Sequence, residues 1–346
     1  MNRRLTVASV AYPLAPVGPD SVGGAEQMLH RLDRALVAAG HRSIVIARVD
    51  SVVAGELVPI PHLAGPIDDA TRHAARAAMR EALRDVRADI IHMHGIDFAD
   101  YLPPPGPPVL ATLHLPPTWY APEALSPTRP GTWVHCVSAT QHAACPASAS
   151  LLPPILNGVP VAALQQSRHA RRSFAVTLGR ICPEKGQHLA LDAAHRAGIP
   201  LLIAGETYPY PAHQSYLRDE ILPRLDRARR LIGPIGFTRK RRLLAAARCV
   251  LIPSLAPETS SLVAMEAIAC GTPVIAFRSG ALPEIVTHGH TGFVVEDSAG
   301  MAAMIARVGE IDPEHCRAIA RARFSLERCT EAYLSRYADL GTTHVA

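Results

Sequence analysis

Residues 253–271 read Pro-Ser-Leu-Ala-Pro-Glu-Thr-Ser-Ser-Leu-Val-Ala-Met-Glu-Ala-Ile-Ala-Cys-Gly, which sets two acids, Glu258 and Glu266, eight positions apart around a helix start. Thr259, Ser260 and Ser261 are side chains that cap helices, and Leu262 to Ala269 is built mostly of strong helix formers. The free backbone N–H groups near Ser261, Leu262 and Val263 should therefore point out of the helix mouth, where phosphate binds. Were the whole stretch helical, eight residues would rise about 12 Å, roughly the span of a pyrophosphate with a sugar on each side. One acid could hold each sugar. The plainer reading, that Glu258 answers a helix dipole and Glu266 is a solvated helix residue, is weakened by context. An apolar run, Cys249 to Pro253, precedes the segment, and Gly271-Thr-Pro leads to a second, Val274 to Phe277. Strand, loop, helix, strand is the order in which ligands sit at the carboxyl ends of a parallel sheet.

Working outward, short β-type runs alternate with longer amphipathic ones along the whole chain, which predicts an α/β fold with parallel sheets. The first half offers strands at Leu5 to Val10, Ser43 to Ala47, Asp89 to Met93, Val109 to His114 and Trp133 to Ser138, with helices near 24–39 and 69–87. The second offers strands at Ala175 to Leu178, Leu201 to Ala204, Leu231 to Ile232, Val250 to Ile252, Val274 to Ala276 and Phe293 to Val295, with helices near 186–197, 213–226, 239–247, 262–269 and 298–308. The pattern restarts after Asn157-Gly158-Val159-Pro160 and the Arg/His-rich 165–172. Two domains are expected, 1–165 and 166–325, followed by a C-terminal helix in 326–346 that packs across both. A chain of 346 residues is long enough for two such cores.

Composition narrows the function. No apolar run approaches the ~18 residues of a membrane span, and Pro13 and Pro16 interrupt the N-terminal apolar stretch, which reads as a buried strand in a cytoplasmic protein. Seven cysteines without a C-x-x-C pair argue against a disulfide framework or zinc site, and His92-Met-His94 and His288-Gly-His290 lack acidic or thiolate companions. A metal-free site is expected, since no Asp-x-Asp element is present to seat an ion on a diphosphate. The formal charge of +5 favours anionic ligands. Aromatic residues are only 5% and do not interleave with the arginines of 224–230 and 239–242, which excludes a base-stacking nucleic-acid platform but leaves contact with anionic lipid headgroups open.

Four further groups could carry chemistry. Gly23-Gly24 follows the first strand and leads into a helix, where glycine lets backbone approach a phosphate, although a glycine pair also makes an ordinary turn. Arg180 and Lys185 lie in the loop after the first strand of the second half, placed to neutralise a diphosphate leaving group. Lys185 and Lys240 are the only lysines of an arginine-dominated chain, so Lys185 is not compositional drift. His114 ends a strand beside the proline-rich 116–130, and the proline-rich segments 103–108 and 116–130 are candidate walls of an acceptor pocket.

Taken together these segments resemble the retaining nucleotide-sugar glycosyltransferases of the two-domain GT-B fold, the group often called family 4. The resemblance runs through Gly23-Gly24, Asp89-Ile-Ile-His-Met-His94, Ala111-Thr-Leu-His114, Val137-Ser138, Asn157-Gly158-Val159, Gly179-Arg180, Glu184-Lys185-Gly186, Gly205, Pro253-Ser254, Glu258 with Glu266, Cys270-Gly271-Thr272-Pro273-Val274, and Gly280 through Glu284 to Thr291-Gly292. It implies two Rossmann-like domains facing a cleft. The second would bind the donor: Glu258 on the transferred sugar, Glu266 on the ribose, Arg180 and Lys185 on the diphosphate, backbone at Leu262 and Val263 on a phosphate, and Phe237 toward the base, with Gly205, Ser260 and Ser261 on the donor side as well. Gly24 and His114 of the first domain would approach the diphosphate and the donor sugar. Glu258, His114, Arg180 and Lys185 are the expected catalytic set. The implied reaction moves a hexose, by family default from a UDP-sugar, to a hydroxyl of a carbohydrate, lipid or small molecule, with retention and without metal or other cofactor. Many members carry Gly-Phe-Gly after the first acid where this chain has Thr259-Ser260-Ser261; hydroxyls there leave the sugar open. An epimerase or hydrolase on the same fold and a nonenzymatic nucleotide-sugar-binding subunit are the competing readings. A nicotinamide dehydrogenase is disfavoured because no G-x-G-x-x-G follows the first strand of either half.

Overall fold

The computed structural model describes residues 3–63, 67–166 and 169–343. Part of the Arg/His-rich stretch 165–172 thus lies outside the described residues. The chain divides into two compact units, Met1–Leu156 with Cys329–Ala346, and Asn157–Arg328. The division comes nine residues before the expected 165/166 boundary, and the helix Val161–Gln165 lies within the second unit.

The first unit is built on a seven-stranded sheet of β1 (Thr6–Val10), β2 (Arg42–Arg48), β3 (Glu56–Ile60), β4 (Ile90–Met93), β5 (Val109–Leu113), β6 (Thr132–Cys136) and β7 (Leu151–Leu152), in the order β3-β2-β1-β4-β5-β6-β7. The second carries a six-stranded sheet of β8 (Ala175–Leu178), β9 (Leu201–Ala204), β10 (Arg229–Leu231), β11 (Cys249–Ile252), β12 (Val274–Phe277) and β13 (Gly292–Val295), in the order β10-β9-β8-β11-β12-β13. Every pairing in both sheets is parallel. Central strands such as Val-Leu-Ala-Thr-Leu in β5 and Cys-Val-Leu-Ile in β11 are buried along their whole length, as strands covered on both faces must be. In each unit the chain runs outward from the first strand and then returns to its other side, so the order reverses between β1 and β4 and again between β8 and β11. The crevice beyond the carboxyl ends at such a reversal is where open parallel sheets bind ligands.

The main departures from the sequence reading are at sheet edges and in two helices of the second unit. β3 reads Glu-Leu-Val-Pro-Ile and β7 has two residues; both are edge strands, where proline and polar residues are tolerated and the apolar signal fades. β10, also an edge, begins at Arg229 rather than Leu231. The long helix expected at 213–226 is an α-helix, Pro211–Tyr216, that widens into a π-turn over Leu217–Ile221 and closes in a 3-10 turn at Leu222–Arg224, where Pro223 has no N–H to continue it. A further helix, Pro313–Arg323, capped by Asp312, has no counterpart in the sequence reading.

The C-terminal helix Leu326–Thr343 returns the chain to the first unit. Tyr333 and Tyr337 are wholly buried there and reach the histidines of the central strands. Among the described residues no helix is long and apolar enough to cross a membrane.

Candidate active site

The loops that follow β8 and β11, at the reversal of the second sheet, are locked to one another by backbone. Gly186 has φ +61, and a Cβ there would collide with the carbonyl oxygen of Pro253. The amides of Leu255 and Ala256 donate to the carbonyl of Glu184 at 2.8 and 3.2 Å. From the other side the loop after β12 closes on Glu258: Ala281 N–H donates to its carbonyl at 2.7 Å, and Gly280, φ +54, has no room for a Cβ against the Glu258 main chain. Only glycine satisfies both the backbone angle and the contact at these two positions.

That frame fixes the Glu258 carboxylate. Its Oε1 accepts from Lys185 Nζ at 2.5 Å and from Ser254 Oγ at 2.5 Å, and the side chain is 9% exposed against 31% for Lys185. Glu258 lies ahead of the helix Leu262–Ala269, whose start is capped by Ser261 Oγ accepting from Ala264 N–H at 3.3 Å. The two acids are therefore not on one helix. Glu266, within it, is 0% exposed, and its carboxylate accepts from Lys240 Nζ at 2.8 Å. Lys240 comes from the helix Phe237–Ala246 and lies 5.9 Å from the centre of the Phe237 ring. The two lysines of the chain thus each hold one of the two motif acids.

Arg180 lies over the Tyr208 ring at 5.7 Å. Gly205, at the end of β9, meets the carbonyl of Gly179 so closely that a Cβ has no space. Ser260 Oγ is buried without a hydrogen-bond partner among the described residues. Leu262 and Val263 form the first turn of the capped helix. Within the second unit, then, the expected residues lie at the carboxyl ends of β8, β9 and β11 and on the helices that follow β10 and β11.

Gly24 and His114 belong to the first unit. Gly24 opens the helix Gly24–Ala38, and the carboxylate of Glu26 folds against Gly23, so an acid already faces that helix start. His114, at the end of β5, has its Nε2 2.9 Å from His94 Nδ1, and its main-chain N–H donates to the Tyr120 hydroxyl at 2.8 Å. Burial pushes the His114 imidazolium down to about 4, so the ring is neutral near pH 7. Behind this pair, His92 Nδ1 lies 2.6 Å from the Tyr337 hydroxyl and its Nε2 2.7 Å from Thr112 Oγ1, which in turn lies 2.7 Å from His135 Nε2. The His92/His94 motif is part of a neutral hydrogen-bonded network.

Ser254, Lys240, Gly186 and Gly280 are site residues that the sequence reading assigns no role. The scarcity of lysine was a signal for Lys240. The glycines could be recognised only once their φ angles and neighbours were known.

Comparison with known proteins gives this geometry a family. Residues 172–310 match the model of group 1 glycosyl transferases, and residues 22–147 match the model of glycosyltransferase family 4. The glycogen synthase of Mycobacterium tuberculosis is 29% identical over 95% of this chain and 91% of its own length. Among solved structures, AviGT4, a glycosyltransferase involved in avilamycin A biosynthesis, superposes with a TM-score of 0.72 at 24% identity, covering 98% of each chain. The Anabaena HepE protein in complex with UDP-glucose gives 0.75 at 18%, covering 97% of this chain and 100% of that one. Two all-parallel α/β units with this strand order have the GT-B fold, and the chain belongs to the group 1 and family 4 glycosyltransferases.

Proposed function

We propose that the protein transfers a hexose from a UDP-linked sugar to a hydroxyl of a carbohydrate, lipid or small-molecule acceptor, with retention at the anomeric carbon and with no metal on the diphosphate. The observation that carries the reading is the pairing of both lysines with both motif acids around the reversal point of the second sheet. In this reading the incoming diphosphate takes Lys185 and Arg180 as partners, and Glu258, released from Lys185, accepts hydroxyls of the transferred sugar. Cations fixed beside the leaving phosphate stabilise the charge that grows as the sugar departs, which accelerates the step more than it tightens ground-state binding. Glu266 accepts from the ribose, the first-turn amides at Leu262 and Val263 meet a phosphate, Ser260 and Ser261 add hydroxyl contacts, and Gly205 and Phe237 border the nucleoside. The bond from C1 to the phosphate oxygen breaks, the bond from C1 to the acceptor oxygen forms on the same face, and the acceptor proton goes to the departing phosphate.

The UDP assignment is supported by the UDP-glucose held by HepE, a protein of the same fold. The net charge of +5 supports an anionic donor and a cytoplasmic enzyme able to work against anionic headgroups at the inner face of a membrane. The test is incubation of UDP-hexoses with panels of glycan, lipid and small-molecule acceptors, with and without EDTA. Transfer that needs an acceptor, persists in EDTA and yields an α-product from an α-donor is expected. Rapid donor conversion without acceptor would point to an epimerase or hydrolase instead.

A further inference from the structure

Behind Lys185, three side chains of different chemistry converge from two elements. Cys182 and Glu184 belong to the loop between β8 and the helix Gln187–Arg196, and His213 to the helix Pro211–Tyr216 after β9. One ligand atom from each, a sulfur, a carboxylate oxygen and an imidazole nitrogen, lies within 4.8 Å of the other two. Cys182 is 1% exposed and His213 7%. His213 Nδ1 is buried with no hydrogen-bond partner among the described residues. An imidazole nitrogen left this way costs about 1–3 kcal/mol, so such an atom calls for an unaccounted partner. The ring is walled by Tyr210 and Tyr208, with centroids at 5.0 and 6.4 Å.

We propose that Cys182, Glu184 and His213 form a site for one zinc-type divalent cation. Thiolate, imidazole and carboxylate together are a zinc ligand set, with bonds of about 2.0–2.3 Å, so the three atoms need to draw in by roughly 1 Å and a water completes the tetrahedron. A sulfur ligand excludes magnesium and calcium, which take oxygen. Binding exchanges the thiol proton for the cation, with no change of oxidation state. Thiolate, carboxylate and divalent ion then sum to zero beside Arg180 and Lys185.

The filled site ties the loop bearing Arg180 and Lys185 to the helix Pro211–Tyr216. Cys182, Glu184 and His213 are not among the residues proposed to contact the donor, and metal titration reads the site without turnover, so this inference and metal-independent transfer fail separately.

The experiment is calorimetric titration of the chelator-stripped full chain with zinc chloride, paralleled by cobalt titration followed by absorption. Expected are one zinc per chain with a Kd of about 1 µM or tighter, and release of about one proton per zinc near pH 7. A sulfur-to-cobalt charge-transfer band should accompany cobalt binding. Cys182→Ser should abolish the band and weaken zinc at least about 10-fold; His213→Asn should weaken zinc similarly while the band remains; Cys145→Ser should change neither. The variants' metal-free melting curves check folding, and the two ligand variants lie on different elements, so loss of one still leaves a test. No stoichiometric zinc, or a band and affinity that survive Cys182→Ser and His213→Asn, overturns the assignment.

Discussion

At the carboxyl end of the first sheet the polar side chains bond to one another as neutral groups: His92 and His135 with Thr112, His92 with Tyr337, Thr112 with Tyr333, and His94 with His114. At the carboxyl end of the second sheet the pairs are ionic, Lys185 with Glu258 and Lys240 with Glu266. The two sheets share direction and a strand-order reversal, so topology does not produce the difference. The neutral network is buried and satisfied largely within itself. An ion pair holds two charges that an incoming anion and an incoming hydroxyl can separately claim. The same strand order thus carries a neutral network in one unit and ion pairs in the other.

The largest effect is expected where an ionic pair is most buried. Lys240→Ala leaves Glu266 at 0% exposure without its lysine and should cost about 3–5 kcal/mol, lowering the melting temperature of the second unit by roughly 6–20 °C. Lys185→Ala strands a carboxylate nearer solvent, its partner being 31% exposed, and should cost clearly less. Differential scanning calorimetry of both variants checks the order; equal losses would mean that burial does not set the strength of these pairs.

Next comes a change that touches neither charge. Gly280→Ala forces a side chain into φ +54 against the main chain of Glu258, and displacing that carboxylate should lower kcat about 100-fold. Retained donor binding in calorimetry would separate misplacement from loss of the pocket.

The neutral network makes a prediction in pH. Buried His114 and His135 titrate near 4 and 3 when folded, and His92 and His94 are also held well below 6.5, by burial in each case. The unfolded chain therefore binds more protons than the folded one below about pH 6.5, and the stability these residues contribute is full above that value. It is lost as pH falls toward 4 and 3, at up to about 1.4 kcal/mol per pH unit for each histidine. Melting of the first unit followed from pH 7 to 4 should show the decline, and His135→Gln should flatten it. The smallest effect is that of Tyr337→Phe, which removes the hydroxyl facing His92 Nδ1 and should cost about 1 kcal/mol, or some 2–4 °C. Thermal melts at neutral pH read it directly.

Much of the fold was open to reading in the sequence, and the exceptions have physical causes. Largely buried runs such as Ala175–Leu178 and Leu201–Ala204, and the helix Leu262–Ala269 with its serine cap, carry strong local signals, and their bounds are those expected. Edge strands carry weak ones: Pro59 in β3 and the arginines of β10 are permitted because one side of each strand needs no partner. Pro313–Arg323 is rich in arginine and buries only Cys316 and Ala320 fully, too narrow a stripe for periodicity to expose. In the site, Glu258 and Lys185 stand out by motif, but their mutual pairing and the Lys240 contact with Glu266 join residues 73 and 26 positions apart. Such contacts exist only once the sheet order is known. The Cys182, Glu184 and His213 cluster is hidden for the same reason, since His213 arrives from a different crossover.

Glu258, in the proposed reaction, acts on the transferred sugar and not on the fold. Single-turnover transfer of labelled hexose from a UDP-sugar, compared between the parent protein and Glu258→Ala at saturating donor, tests it most directly. The expected result is a rate lower by at least about 100-fold, with donor affinity changed only a few-fold and an intact melting transition. Transfer at the parent rate by a folded Glu258→Ala protein would contradict it.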